Sequence, residues 1–274
     1  MFGHAHVALD WTSLHLSPVL FEFHGLALRW YSLAYIGGIL GGWWLLGRML
    51  LSWGAPMTRA HADAFITWAT VGIILGGRIG YVLFYDFSRF TADPLAILRV
   101  WEGGMSFHGG VIGSVIAIVL FARANGLNWL RIADYVACVE PIGQFLGRLA
   151  NFVNGELWGR VTGSDWGMIF PDGGPLPRHP SQLYEAVFEG LFLFAVMMWL
   201  FWRTRARAYP GLLVGAFTFG FGLLRFFIEF FRQPDAQVGY LAFGLTMGQL
   251  LCAPMVVLGL ALMAYSQRRP AVAA

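Results

Sequence analysis

Residues 132–154 read IADYVACVEPIGQFLGRLANFVN, and whether this stretch crosses a membrane decides how the whole chain is laid out. It is largely apolar, yet it contains Asp134, Glu140, Gln144, Arg148, Asn151 and Asn154. Six plainer apolar runs surround it, at about 27–47, 64–85, 104–122, 185–202, 210–231 and 241–265. Arginine placement supplies the test. Arg48 and Arg59 flank the first connection, and Arg123 and Arg131 the third. Arg203, Arg205 and Arg207 sit in the fifth, and Arg268 and Arg269 follow the last run. Cytoplasmic loops carry the excess of basic residues. All four groups share one side only if residues 132–154 also span. The expected fold is an all-α polytopic membrane protein with seven transmembrane helices, its N-terminus outside and its C-terminus in the cytoplasm. Residues 1–274 form a single integral membrane domain on this reading.

The composition agrees. Of 274 residues, 58% are hydrophobic and 12% charged, where a soluble domain carries about 25% charged residues. That excludes a disordered chain, a disulfide scaffold and an ordinary cytosolic enzyme. Seven spans of roughly 21 residues consume about half the chain and leave no room for a large soluble domain. The net charge is +3, and all 18 basic residues are Arg. So small an excess gives no reason to expect a nucleic-acid partner. Cys138 and Cys252 both lie in apolar runs and form no metal spacing, CxxC or lipidation box. No metal and no cofactor are expected. Residues 1–20 lack a basic n-region and contain His4, His6, Asp10 and His15, so the first helix is expected to direct insertion.

The outer connections then carry Asp10, Glu22, Asp86, Asp93, Glu102, Asp165, Asp172 and Asp235. The longest, about 155–184, holds Gly173, Gly174, Pro175, Pro177 and Pro180 and is expected to form a small extracytoplasmic cap. No internal repeat supports an inverted-repeat transporter.

Ionisable residues in a membrane helix are costly unless they are paired or face a cavity. Glu140, Gln144, Arg148 and Asn151 fall within about 80° of one another on a helix and form one polar stripe. Arg225 and Glu229 lie one turn apart on the sixth helix, and Arg78 follows Gly76 and Gly77 on the second. With the expected topology, Arg78, Arg148, Asn151, Asn154, Arg225 and Glu229 all lie in the outer halves of their helices. Tyr31, His108, Glu185 and Glu189 stand at the outer ends of theirs. Arginines at that depth suit the phosphates of outer-leaflet phospholipids, which a planar guanidinium binds through two parallel hydrogen bonds. Structural roles stand beside this one. Arg225 and Glu229 could form an intrahelical pair, Arg78 a strut between helices, and Tyr31 part of an interfacial aromatic belt. Glu185 and Glu189 could favour a helix N-terminus through its dipole. His108 sits between Gly103-Gly104 and Gly109-Gly110, where glycines allow close approach of backbone or substrate.

Residues 147–159, GRLANFVNGELWG, resemble the signature of the bacterial prolipoprotein diacylglyceryl transferases, G-R-x-[GA]-N-F-x-N-x-E-x-x-G, with every fixed position filled. Trp30–Leu33, Gly103–Gly110, His179–Glu185 and Arg225–Pro234 are also similar to the family, so the resemblance runs from about residue 20 to 265. It implies transfer of the diacylglyceryl group of phosphatidylglycerol to the lipobox cysteine of a prolipoprotein signal peptide, forming a thioether and releasing glycerol phosphate. It also implies the bacterial cytoplasmic (inner) membrane, with membrane lipid and prolipoprotein as partners and the active site toward the outer leaflet.

On that reading His108 assists thiol deprotonation, because only the thiolate is a good nucleophile. Arg148 and Arg225 bind the phosphate as its charge grows. Asn151 and Asn154 orient the lipid's polar groups, Tyr31 donates to the phosphate or a carbonyl, and Glu156 and Glu229 hold arginines or bind the headgroup. Gly159 allows close backbone approach. A transporter or channel for an anionic or lipid substrate is the alternative, and it would continue its polar lining toward the inner leaflet. An enzyme moving a headgroup or acyl chain is set aside by the signature alone.

Overall fold

The structure, a computed structural model, describes residues 9–23, 26–234, 239, 241 and 244–271. His4, His6 and Asp235 lie outside the described residues. Each of the seven apolar runs contains a helix. They are α1 (Trp30–Met49), α2 (Arg59–Phe84), a short α3 (Phe87–Ala92) within the second connection, α4 (Phe107–Ala124) and α5 (Trp129–Val153). Then α6 (Ser181–Glu185) continues through a π-helical stretch, Ala186–Phe192, into α7 (Leu193–Arg203). The last two are α8 (Leu212–Ile228) and α9 (Met247–Gln267).

Four of these stretches are long and apolar enough to cross a membrane: Arg59–Phe84, Phe107–Ala124, Ser181–Arg203 and Met247–Gln267. Leu212–Ile228 is apolar but shorter. The multi-pass membrane character therefore follows from four helices rather than the expected seven. The reason is composition. α5 carries Asp134, Glu140 and Arg148, while α1 is rich in Gly, Trp and Tyr.

The all-α expectation needs a supplement, because four short strands are present among the described residues. β1 (Leu9–Asp10) pairs in parallel with β4 (Met168–Ile169), and β2 (Val19–Phe23) pairs antiparallel with β3 (Leu26–Arg29). Trp11 follows β1, packs against Met168 and Phe170, and donates from Nε1 to the Phe152 carbonyl at 2.9 Å. This fixes the segment before α1 onto the 155–184 connection.

The chain divides into two compact units, residues 1–44 with 136–273, and residues 45–135. In the second unit α2 and α4 pack through glycines. A Cβ on Gly109 or Gly113 would overlap the carbonyl oxygens of Gly76 and Gly72, so these positions tolerate only hydrogen. Thr58 and His61 close a capping box at the start of α2. Phe121 is buried against Phe65 and Trp68.

In the first unit the same device recurs. A Cβ on Gly38 would meet the Gly143 backbone at 3.0 Å, and one on Gly190 would meet Phe145 Cα at 2.7 Å. α8 and α9 approach closely at Gly215 and Gly259. Small residues thus bring α1, α5, the π-helical stretch, α8 and α9 close enough for polar side chains to meet between them.

Candidate functional site

The polar stripe of α5 points at the helix that begins at Ser181. Glu185 is fully buried and is the hub of the cluster. Its Oε2 lies 2.8 Å from Arg148 Nε, and its Oε1 lies 2.8 Å from Arg225 Nη1 and 3.3 Å from Arg232 Nε. One carboxylate therefore holds guanidinium groups from α5, α8 and the segment after α8. One turn on, buried Glu189 accepts the Gln144 amide at 2.9 Å and lies 3.5 Å from Arg225 Nη1. Both carboxylates flank or lie in the π-helical stretch, a form frequent at functional sites.

Glu229 sits at the C-terminal end of α8. It lies 3.2 Å from Arg225 Nη2 and accepts from Thr246 Oγ1 at 3.1 Å. Thr246 and Gln249 form the capping box of α9. Gly248 makes room for this carboxylate, since a Cβ there would fall 2.6 Å from Glu229 Oε1. Lysine is absent from the sequence, and every cation of the cluster is a planar guanidinium able to engage two partners at once.

The signature residues extend the cluster outward along α5. Arg148 Nη1 donates to Asn151 Oδ1 at 3.4 Å. Asn151 and Asn154 both donate to Glu156 Oε1, at 2.8 and 3.1 Å. Gln182 Nε2 donates to the Glu156 carbonyl at 2.6 Å. Beside them a cleft of about 360 Å³ is lined by Arg29, Tyr31, Ser32, Asn154 and Glu156. Tyr31 is 37% exposed, so its phenol is available to a ligand entering the cleft.

The 155–184 connection is built as a scaffold. Arg178 lies over the Trp158 ring at 4.1 Å and donates to the carbonyls of Gly173 and Gly159. His179 Nδ1 and Tyr184 Oη lie 3.1 Å apart, and Trp166 donates to the same phenol. Burial pushes the His179 imidazole below its ordinary value, so it is neutral at neutral pH.

The sequence expectations now have places. Tyr31, Arg148, Asn151, Asn154, Glu156, Arg225 and Glu229 all belong to the first unit and line the cluster or its cleft. Glu229 lies against Arg225, whereas Glu156 accepts from two asparagines. Gly159 does allow a close approach, but of the chain to itself: a Cβ there would overlap Phe231 O and crowd His179. His108 is exposed in the first turn of α4, after the Ser106 N-cap, and belongs to the second unit. Arg78 is buried and donates to five carbonyls, those of Ala96, Ile97, Arg99, Gly103 and Gly104. It pins the connection that leads to His108, which is the structural role rather than the anion-binding one.

The family called prolipoprotein diacylglyceryl transferase matches residues 18–265, which include every member of the cluster. The chain belongs to that family. It is a multi-pass membrane protein and a transferase. It is similar to proteins named phosphatidylglycerol–prolipoprotein diacylglyceryl transferase from several bacteria. The one from Allorhizobium ampelinum is 52% identical, over 89% of this chain and 88% of its own. That from Zymomonas mobilis is 51% identical, over 95% and 94%, and that from Rhodospirillum rubrum 52%, over 92% and 93%.

Within this family member the residues that sequence reasoning left out of the site are Gln144, Gln182, Glu185, Glu189 and Arg232. Gln144 was on the stripe, and the other four lie in or beside the stretches at 179–185 and 225–234 that carry the resemblance. Their signal was present, but only the fold shows that Glu185 and Arg148, 37 positions apart, share one ion pair.

Proposed function

We propose that the protein takes the diacylglyceryl group from phosphatidylglycerol and joins it to the cysteine thiol of a prolipoprotein lipobox. The C–O bond between glyceryl carbon and phosphate breaks, a C–S bond forms, the thiol proton passes to a base, and glycerol phosphate leaves. The observation that carries this reading is the set of guanidinium groups held on Glu185 beside a cleft lined by Tyr31, Asn154 and Glu156. Such an arrangement is preorganised for a phosphate whose charge grows as its ester bond breaks. Arg148 and Arg225 bind that phosphate. Tyr31, Asn151 and Asn154 orient the lipid, Glu156 fixes both asparagines, and Glu229 fixes Arg225. Gly159 keeps the scaffold of the 155–184 connection closed.

The direct test is mass spectrometry of a lipobox peptide incubated with purified protein and phosphatidylglycerol. The peptide should gain one diacylglyceryl group on its cysteine. An unmodified peptide, with lipid and protein both intact, would overturn the reading.

The thiol needs a base near neutral pH, and His108 is assigned that role. At saturating lipid the rate should rise with pH through the neutral range. His108→Ala should slow transfer while leaving phosphatidylglycerol binding nearly unchanged. Equal losses of binding and rate would move His108 to the lipid pocket.

The protein is further assigned to the bacterial cytoplasmic membrane as one integral domain of seven spans, with the cluster toward the outer leaflet. The arginine asymmetry and the close packing of α1 on α5, where Gly38 approaches the Gly143 backbone, support it. Cysteines introduced at Ser17 and Asp172 should react with an impermeant reagent from outside, and one at Thr204 only from inside. A cytoplasmic residue 172 would remove both the cap and the outer-leaflet site.

A further inference from the structure

The ion-paired side chains of the buried cluster balance in charge before any ligand arrives, and Glu140 of α5 stands near Glu189 and Arg148 as a further carboxylate. Arg148, Arg225 and Arg232 contribute three positive charges, and Glu185, Glu189 and Glu229 three negative ones. None of these side chains is more than 17% exposed. A phosphodiester entering the cluster adds a further negative charge. An uncompensated charge at that depth is expensive, and buried groups avoid it by changing protonation.

The three carboxylates are not held equally. Glu185 has ion pairs at 2.8, 2.8 and 3.3 Å. Glu229 has Arg225 at 3.2 Å and the Thr246 hydroxyl at 3.1 Å. Glu189 has one neutral amide on Oε2. Its Oε1 accepts no hydrogen bond among the described residues, which is equally true of Glu185 Oε2 and Glu229 Oε2. Those two, however, lie 2.8 and 3.2 Å from guanidinium nitrogens, whereas the Glu189 ion pair is 3.5 Å long, to a nitrogen of Arg225 that Glu185 already engages. Two carboxylates sharing one guanidinium nitrogen are a pair in which one takes a proton as soon as the cation is drawn elsewhere. The surroundings of Glu189 are mixed in sign. From α5 it faces Gln144, Arg148 and Glu140. From its own helix it faces Glu185, from α8 Arg225 with Glu229 behind it, and from α9 Cys252. Arg232 faces Glu185.

We propose that Glu189 takes a proton from water when the phosphate of phosphatidylglycerol binds, and so releases Arg225 to the lipid. Glu189 is then a positioning residue that acts through Arg225. The inference rests on the reading that phosphatidylglycerol is the donor. Binding and protonation are reciprocally linked. Lipid affinity is full at acidic pH. It falls about tenfold for each pH unit once the ligand-free protein no longer carries that proton, because one proton accompanies one lipid.

The test uses the purified full chain in detergent without acceptor peptide. Phosphatidylglycerol is titrated at a series of pH values, and infrared difference spectra are taken with and without lipid. The expected result is the tenfold slope and a protonated-carboxyl band that appears with lipid. Glu189→Gln, which copies the protonated form, should bind with an affinity independent of pH and lack the band. A pH-independent affinity in the parent, or a band that persists in Glu189→Gln, overturns the inference. Diacylglyceryl transfer by the same preparation would then show that the functional reading survives. If Glu189→Gln does not fold, proton uptake by the parent on lipid addition, read with a pH dye, decides: uptake of one proton supports the inference and none overturns it. A protein that neither binds phosphatidylglycerol nor transfers at any pH overturns both.

Discussion

Glu185→Gln should lower the stability of the purified protein by roughly 3–5 kcal/mol, the cost of breaking a buried ion pair so that charge is left uncompensated. Glutamine matches the glutamate in size, so packing is kept and only the charge is removed. Arg148, Arg225 and Arg232 then face each other with Glu189 and Glu229 as the remaining carboxylates of their ion pairs. Arg148 loses its 2.8 Å partner and is left with a 3.4 Å contact to Asn151. Transfer should fall by orders of magnitude, because the fork meant for the phosphate no longer has a fixed direction. Phosphatidylglycerol should restore more stability to this variant than to the parent, since its phosphate replaces the missing negative charge. Thermal unfolding with and without lipid reads both effects. Glu22→Gln, on the exposed strand β2, should change stability by less than about 0.5 kcal/mol and is the control. An unchanged melting temperature in Glu185→Gln would remove Glu185 from the centre of the cluster.

The places where sequence reading stopped have physical causes. Hydropathy located six of the seven long apolar runs, and arginine placement was needed for the seventh, because Asp134, Glu140 and Arg148 interrupt the apolar pattern of α5. The stripe on α5 was legible because helical period converts spacing into direction, and Gln144, Arg148 and Asn151 do face one cluster. The partners of that stripe were not. Glu185 and Glu189 at the start of an apolar run satisfy the helix dipole equally well, and no periodicity tells a solvated carboxylate from a paired one. Their role comes from tertiary approach, which Gly190 permits against Phe145. Arg232 lies beyond the end of α8, outside any helical pattern. The strands escaped for a different reason: β1 and β4 have two residues each, and their pairing depends on Trp11 docking onto Met168 and Phe170. Arg78 suits an anion ligand or a strut equally well on sequence, because its five carbonyl partners are backbone atoms, which leave no trace in side-chain composition.

Arg148→Lys should leave the protein folded and slow turnover about a hundredfold. Two roles for Arg148 make opposite forecasts. If it serves only to neutralise Glu185, a lysine ammonium can sit against Oε2 and keep both stability and activity. If it also clamps the phosphate, one nitrogen must do the work of three. Arg148 already uses Nε on Glu185 and Nη1 on Asn151, and a single ammonium cannot hold the carboxylate, keep the asparagine and point a donor at the lipid. The charge on the leaving phosphate grows toward the transition state, so the loss should fall mainly on turnover and little on lipid binding. Losing one such donor costs roughly 3 kcal/mol, which is about a hundredfold in rate. Stability should change far less than in Glu185→Gln, because the charge count of the buried cluster is preserved. Arg205→Lys, at an exposed position after α7, should be silent in the same assay. A folded Arg148→Lys protein nearly as active as the parent would leave Arg148 as a counter-ion of Glu185 and move the phosphate clamp to Arg225.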